Sequence, residues 1–271
     1  MPELPEVETV VRGLRDSLEG RTITGLRTYW PRHIAAPADT AELKHRLLGS
    51  QILSLGRRGK YLLFHLDSPD TLIMHLKMSG NLGVFDAADP LHRHDRTVFE
   101  LDNGQELRFE DMRKFGKVYL VANTETVLGK LGPEPLEDSF TLASFRQRFA
   151  GRSRVIKPLL LDQTFVAGVG NIYADEALHQ AGIHPQRRAD TLTKGEVARL
   201  HAAIRAVLQT GIDKQGATLT TYRQPDGRLG GMQNEFAIYD RGGEPCFRCG
   251  QPVVKIVVGG RGTHYCPGCQ K

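Results

Sequence analysis

Apolar residues near the start of the chain recur at helical spacing. Val7, Val10, Val11, Leu14 and Leu18 fall on one face, Pro5 sits near the first turn and Gly20 ends the run, which predicts an amphipathic helix. Glu3, Glu6 and Glu8 lie at its positive end, where carboxylates are favoured. The period then shortens to two. Residues 22–30, 51–56, 61–66, 71–77, 97–102, 105–110 and 117–121 read as strands, with a short helix over 40–48. Asp102-Asn103-Gly104 between two of the strands is a hairpin signal. So many short strands in succession predict a β-sandwich or barrel. Leu131-Gly132-Pro133-Glu134-Pro135 breaks the pattern. Helices are predicted beyond it over 141–149, 155–162, 171–181 and 194–213, the last opened by the capping box Thr193-x-x-Glu196. Residues 214–231 are polar and rich in Gly and Thr, the composition of a mobile loop, and a cysteine-bearing hairpin ends the chain. The expected class is α+β multidomain: a β domain over 1–132, a helical domain over 133–236 that includes the loop, and a small metal module over 237–271.

Length changes this picture little, since 271 residues suit two modest domains or one with appendages. Charge adds a direction. Lys and Arg number 36 against 31 Asp and Glu, a net +5, which alone points only weakly to nucleic acid. The distribution is more telling. Residues 139–161 hold Arg146, Arg148, Arg152, Arg154 and Lys157 and no acid, and Gly56-Arg57-Arg58-Gly59-Lys60 forms a second cluster. The first residues carry acids and no apolar core, unlike a signal peptide, and no run approaches membrane-spanning length. The expected location is cytoplasmic, associated with the nucleoid.

All four cysteines lie after residue 245, as Cys246-x2-Cys249, sixteen residues, then Cys266-x2-Cys269. Two such pairs complete a tetrahedral thiolate site with no open position, so one structural zinc ion is expected and no catalytic metal. Between the pairs, Val253 to Val258 and Gly259-Gly260-Arg261-Gly262 read as strand, turn and strand. Arg261 at the tip is either a solvated arginine or a phosphate contact. Gly168-Val169-Gly170-Asn171 precedes a helix, a setting for a structural turn or for anion binding at a helix N-terminus. Pro2-Glu3 gains chemical interest only if Met1 is removed. The freed secondary amine would then titrate near pH ~8, leaving a useful unprotonated fraction at neutral pH. Met78, in His75-Leu76-Lys77-Met78-Ser79-Gly80, and Phe115, in Arg113-Lys114-Phe115-Gly116, suit either a core or an exposed apolar wedge.

Taken together, these blocks resemble the formamidopyrimidine-DNA glycosylase family from end to end. The resemblance rests on Pro2-Glu3-Leu4-Pro5-Glu6-Val7-Glu8-Thr9, Gly59-Lys60-Tyr61-Leu62-Leu63, His75-Leu76-x-Met78-Ser79-Gly80, Leu131-Gly132-Pro133-Glu134-Pro135-Leu136, Gly168-Val169-Gly170-Asn171-Ile172-Tyr173-Ala174 and the four-cysteine module. It implies an N-terminal β-sandwich with an N-terminal helix, a helix–two-turn–helix domain and a zinc finger. It implies a bifunctional enzyme acting as a monomer on damaged double-stranded DNA: it flips and removes oxidised purines, then cleaves the strand by β,δ-elimination. Pro2 would attack C1′ and form a Schiff base, and Glu3 would act as general acid. Lys60 would hold phosphate and help in β-elimination, and Arg261 would clamp phosphate and serve δ-elimination. Asn171, His94 and Arg152 match DNA-contacting positions. Met78, Arg113 and Phe115 would fill the gap left by the everted base, and Thr218, Thr220, Thr221 and Tyr222 fall in a lesion-capping loop. Two departures are noted: Lys77 stands where glycine is also seen, and Met112-Arg113-Lys114 replaces a Pro-Arg-Arg version.

Two alternatives keep the scaffold. An endonuclease VIII-like enzyme would prefer oxidised pyrimidines, but Leu4 stands where that branch typically has Gly. A non-catalytic lesion-binding relative would be expected to lack Pro2, Glu3 or Lys60, and all three are present.

Overall fold

The computed structural model describes residues 1–271. It divides into two compact units, one comprising Met1–Lys130 with Lys214–Gly231 and the other Leu131–Asp213 with Met232–Lys271.

The first unit opens with helix α1 (Leu4–Leu18), whose predicted apolar face is buried in full: Val7, Val10, Val11, Leu14 and Leu18 are all at most 1% exposed. Strand β1 (Ile23–Thr28), β2 (Ile34–Ala36), helix α2 (Thr40–Leu47), β3 (Ile52–Arg58), β4 (Tyr61–Leu66), β5 (Thr71–His75), β6 (Gly80–Asp86), β7 (Asp95–Leu101), β8 (Gln105–Asp111), β9 (Lys117–Val121) and the short helix α3 (Glu125–Leu128) follow. The strands form a four-stranded sheet, β1-β7-β8-β6, and a five-stranded sheet, β2-β9-β5-β4-β3. Leu62, Phe64, Leu72 and Met74 from the larger sheet share one core with Leu82, Phe99, Leu107 and Phe109 from the smaller and with α1. The result is a β-sandwich with an N-terminal helix. The turn Asp102-Asn103-Gly104 joins antiparallel β7 and β8 as its sequence predicts, with Gly104 at φ +79°.

Two strands were not anticipated. β2 has three residues and lies at the sheet edge, too short to show a period. β6 carries Gly80 and Gly83, which weaken strand propensity. Its stability comes from seven residue pairs with β8, Gly80 opposite Asp111 to Asp86 opposite Gln105. Chain order alone left 214–231 with the helical domain, yet this segment groups with the sandwich. The reasons are local. The Glu6 carboxylate accepts from Ala217 N–H at 2.8 Å, Asn81 donates to the Thr221 carbonyl at 2.9 Å, and Tyr222 is 5% exposed within the sandwich core.

The second unit contains α4 (Leu142–Gln147), α5 (Ile156–Leu161), α6 (Asn171–Ala181) and α7 (Lys194–Asp213), then the hairpin of β10 (Val254–Val258) and β11 (Arg261–Tyr265). Thr193 and Glu196 form the capping box, with Thr193 N–H to Glu196 Oε2 at 2.7 Å and Glu196 N–H to Thr193 Oγ1 at 3.2 Å. Glu176 on α6 ties down the approach to the hairpin, accepting from the N–H groups of Ala237, Ile238 and Tyr239 at 2.8–3.0 Å.

Candidate functional site

In the first unit the sequence places Pro2 and Glu3 immediately before α1, and both are buried. Glu3 is the N-cap residue and its N–H donates to Glu6 Oε2 at 2.8 Å. Glu6 therefore holds both the start of α1 and, through Ala217, the 214–231 segment. One turn along, Glu8 pairs with Arg12 at 2.7 Å and with Arg57 of β3 at 3.1 Å. Burial raises the Glu8 carboxyl, but the Arg12 and Arg57 guanidiniums outweigh it and hold its pKa below the ordinary value. Arg57 also donates to the Gly59 carbonyl at 3.1 Å. The turn bearing Lys60 is thereby fixed to the first turns of α1, and Lys60 itself is 4% exposed. A proline, a carboxylate and a lysine are thus each largely withdrawn from water, with the Lys60 turn tied to α1 through the Glu8–Arg57 pair.

Met78 and Phe115 are 37% and 49% exposed, so neither is a core residue. Arg113 stacks on Phe115, its guanidinium carbon 5.0 Å from the ring centre. Lys77 and Lys114 adopt left-handed φ values of 53° and 61°. That conformation explains why glycine suits the Lys77 position. His94 lies between two guanidiniums, with Arg96 Nη2 3.0 Å from Nδ1 and Arg93 Nε 3.0 Å from Nε2. A neutral ring accepts at only one nitrogen. Partial desolvation, then Arg93 and Arg96, hold its pKa below the ordinary value. In the 214–231 segment, Thr218 accepts from Gly230 N–H at 2.9 Å and donates to the Tyr222 carbonyl at 3.0 Å. Leu219 and Thr220 stand exposed between these ties, while Thr221 is half-buried.

In the second unit Arg261 opens β11, exposed and paired across the hairpin with Val258. Asn171, the first residue of α6, donates to the Gly262 carbonyl at 3.0 Å. Its Oδ1 is buried with no hydrogen-bond partner. The basic tract over 139–161 differs from its sequence reading. Lys157 is fully buried, 2.6 Å from Asp175 Oδ1 and donating to Thr263 Oγ1 at 2.7 Å and the Gly262 carbonyl at 3.1 Å. Arg148 bonds the carbonyls of Thr164 and Phe165, Arg154 pairs with Asp162, and Arg146 reaches the Lys194 carbonyl. Arg152 alone of the five is exposed with its side chain outside these bonds. Most of the tract builds the unit. Lys157 and Asp175, with His264 N–H donating to Asp175 Oδ2 at 2.9 Å, brace the strand that carries Arg261. In the sequence Lys157 stands out only as a charge, and its place in the apolar helix Ile156–Leu161 is the one signal of its burial.

The four cysteine sulfurs lie within 4.8 Å of one another, with Cys246 to Cys269 at 3.8 Å and Cys249 to Cys266 at 3.3 Å. Four thiolates at Zn–S ~2.3 Å on a tetrahedron stand about 3.8 Å apart, so these residues fit a zinc ion. When bound, the ion supplies a cross-link at the base of the β10–β11 hairpin. His179 of α6 lies beside the cluster, Nε2 3.6 Å from Cys246 Sγ, where an N–H can orient a thiolate.

Comparison with known proteins agrees along the whole chain. Residues 1–118 match the formamidopyrimidine-DNA glycosylase N-terminal domain, 131–223 its H2TH domain, and 243–271 the zinc finger found in FPG and IleRS. The formamidopyrimidine-DNA glycosylase of Pelotomaculum thermopropionicum is 48% identical over 100% of this chain and 99% of its own. A Lactococcus lactis FPG variant in complex with a Fapy-dG-containing DNA superposes with a TM-score of 0.93, 39% identity and full coverage of both chains. A MutM in complex with carbocyclic 8-oxo-G-containing DNA gives 0.91 and 39%, again over both full chains. A β-sandwich with an N-terminal helix, an H2TH domain and a four-cysteine finger define a DNA-repair glycosylase class. Within that class, the chain belongs to the formamidopyrimidine-DNA glycosylase family.

Proposed function

We infer that this chain is a bifunctional DNA glycosylase and abasic-site lyase that removes 8-oxoguanine and formamidopyrimidines from duplex DNA. The observation that carries the mechanism is the burial of Pro2 and Glu3 together at the positive end of α1. Once Met1 is removed, that end disfavours protonation of the Pro2 amine and leaves a lone pair for attack. The amine bonds to C1′ as the bond from C1′ to the base breaks, and the proton the amine loses passes to the departing base. Glu3 delivers a proton to O4′ as the sugar ring opens to an iminium. Loss of a C2′ proton expels the 3′ phosphate, a second elimination expels the 5′ phosphate, and water releases the sugar fragment from Pro2.

Base eversion costs a few kcal/mol. Exposed Met78, Arg113 and Phe115 are suited to offset it by filling the vacated stack. Lys60, Asn171, His94, Arg152 and Arg261 are assigned to the phosphate backbone, with Lys60 and Arg261 also serving the two eliminations. Thr218, Thr220, Thr221 and Tyr222 are assigned to the capping of the everted base. The protein is read as a cytoplasmic, nucleoid-associated monomer. The test is excision from matched duplexes carrying 8-oxoguanine, a formamidopyrimidine or an oxidised pyrimidine. Faster release of both purine lesions supports the reading, and preference for the pyrimidine refutes it.

A further inference from the structure

Met78 and the Arg113–Phe115 pair lie on separate turns, one before β6 and one after β8, yet one buried carboxylate joins them. Asp111, the last residue of β8, is 0% exposed. Its Oδ1 accepts from Ser79 Oγ at 2.5 Å and from the Arg113 N–H at 3.1 Å, and that same N–H lies 3.0 Å from Ser79 Oγ. Its Oδ2 accepts from the Gly116 N–H at 2.7 Å and from His33 Nε2 at 3.2 Å. We propose that Asp111 is a positioning residue that couples these two turns, so that Met78, Arg113 and Phe115 enter the DNA stack as one unit. The proposal rests on the wedge role read above for those three side chains.

The packing shows that the convergence is built for close approach. A Cβ on Gly116 would lie 2.6 Å from Phe109 Cζ, 2.8 Å from His33 Nε2 and 3.1 Å from Asp111 Oδ2. A Cβ on Gly80 would lie 2.5 Å from the Leu76 carbonyl and 2.7 Å from Phe109 Cε2. Each turn therefore has a glycine where the backbone must press against the same core. Each also holds a lysine in the left-handed region, Lys77 and Lys114, a conformation that persists only where the surroundings fix it.

Four donors converging on two oxygens require a group that only accepts, which an ionised carboxylate is and an amide is not. His33 thus faces Asp111 through Nε2, and its Nδ1 lies 3.4 Å from Thr97 Oγ1. Burial pushes the Asp111 carboxyl up, but His33, Ser79 and Gly116 outweigh it and hold its pKa at about 2. The backbone extends the coupling, since Asp111 N–H donates to the His94 carbonyl at 2.9 Å and its own carbonyl accepts from Arg96 Nε at 2.9 Å. With no exposed atom, Asp111 cannot reach DNA and acts through the turns.

The test uses D111N, which keeps size but sets an amide hydrogen against two donors, and S79A, a milder change that removes one link between the turns. F115A serves as the wedge comparator. Each mature, zinc-loaded protein is mixed with a duplex carrying 2-aminopurine beside 8-oxoguanine opposite cytosine. The fluorescence rise on unstacking is followed, and cleavage of a single-stranded abasic oligonucleotide, where no stack is parted, is measured alongside. D111N is expected to slow the fluorescence rise about tenfold and S79A roughly threefold, as for the loss of buried hydrogen bonds. Single-strand cleavage should stay within about twofold. Normal unstacking in D111N and S79A while F115A is slow overturns the coupling, and so does equal loss of unstacking and single-strand cleavage in S79A. Normal unstacking in F115A as well removes the wedge reading itself, and the coupling with it.

Discussion

Replacing Lys157 with Met removes a charge from the interior while nearly preserving side-chain volume. Lys157 and Asp175 are both fully buried and 2.6 Å apart, and the ammonium also satisfies Thr263 Oγ1 and the Gly262 carbonyl. K157M leaves the Asp175 carboxylate without its counter-charge and Thr263 Oγ1 without the ammonium donor, while the Gly262 carbonyl keeps its bond from Asn171. Breaking one side of a buried pair costs about 3–5 kcal/mol. At roughly 2–4 °C per kcal/mol for a protein of this size, the melting temperature should fall by roughly 6–20 °C. Function should change in a particular way, because the bonds that are lost hold Gly262 and Thr263, the residues next to Arg261. Strand cleavage should shift from β,δ-products toward β-products while Schiff-base formation at Pro2 survives. Differential scanning fluorimetry and gel analysis of the 5′ and 3′ ends measure the two effects. A melting point within about 2 °C of wild type, with unchanged product partition, would refute the reasoning.

Three further outcomes follow from the same geometry. R57A should release the Lys60 turn from Glu8 and the Gly59 carbonyl and lower kcat for strand cleavage about tenfold with a smaller change in KM; an unchanged kcat contradicts that role. His75 is buried, with its pKa lowered to about 3 first by burial and then by Lys77 and Lys60, so it stays neutral when folded and takes up a proton on unfolding. Stability should therefore rise with pH between about 3 and 6.5, and urea midpoints for H75N should lose that part of the slope; a slope equal to wild type contradicts it. Chelation of zinc should melt the β10–β11 hairpin and abolish duplex binding, with zinc restoring both; circular dichroism with fluorescence anisotropy reads this, and full binding by metal-free protein would refute it.

Where periodicity was strong, sequence and structure agree closely. Tyr61–Leu66, Lys117–Val121, Asn171–Ala181 and Lys194–Asp213 end at the residues the pattern indicates, because amphipathic spacing, Gly182 in the left-handed region and the Thr193 box are local signals. β6 was invisible because pairing with β8, not propensity, makes it a strand. The basic tract misled for a related reason: charge counting cannot distinguish the exposed Arg152 from Lys157, whose partner Asp175 lies on another helix. The candidate site divides in the same way. Pro2, Glu3, Lys60, the cysteines, Met78, Arg113 and Phe115 stand in recognisable blocks. Arg57, which fixes the Lys60 turn, and Asp111 with His33, which join the turns of Met78 and Phe115, are defined only by contacts far apart in sequence.

The Pro2 amine is proposed to form the covalent intermediate. Mature protein incubated with an 8-oxoguanine·cytosine duplex and borohydride should give a stable protein–DNA adduct. Digestion and mass spectrometry should place that adduct on Pro2, and retention of Met1 should abolish it. An adduct carried by Lys60, or none from protein with a verified Pro2 terminus and full zinc content, would contradict the account.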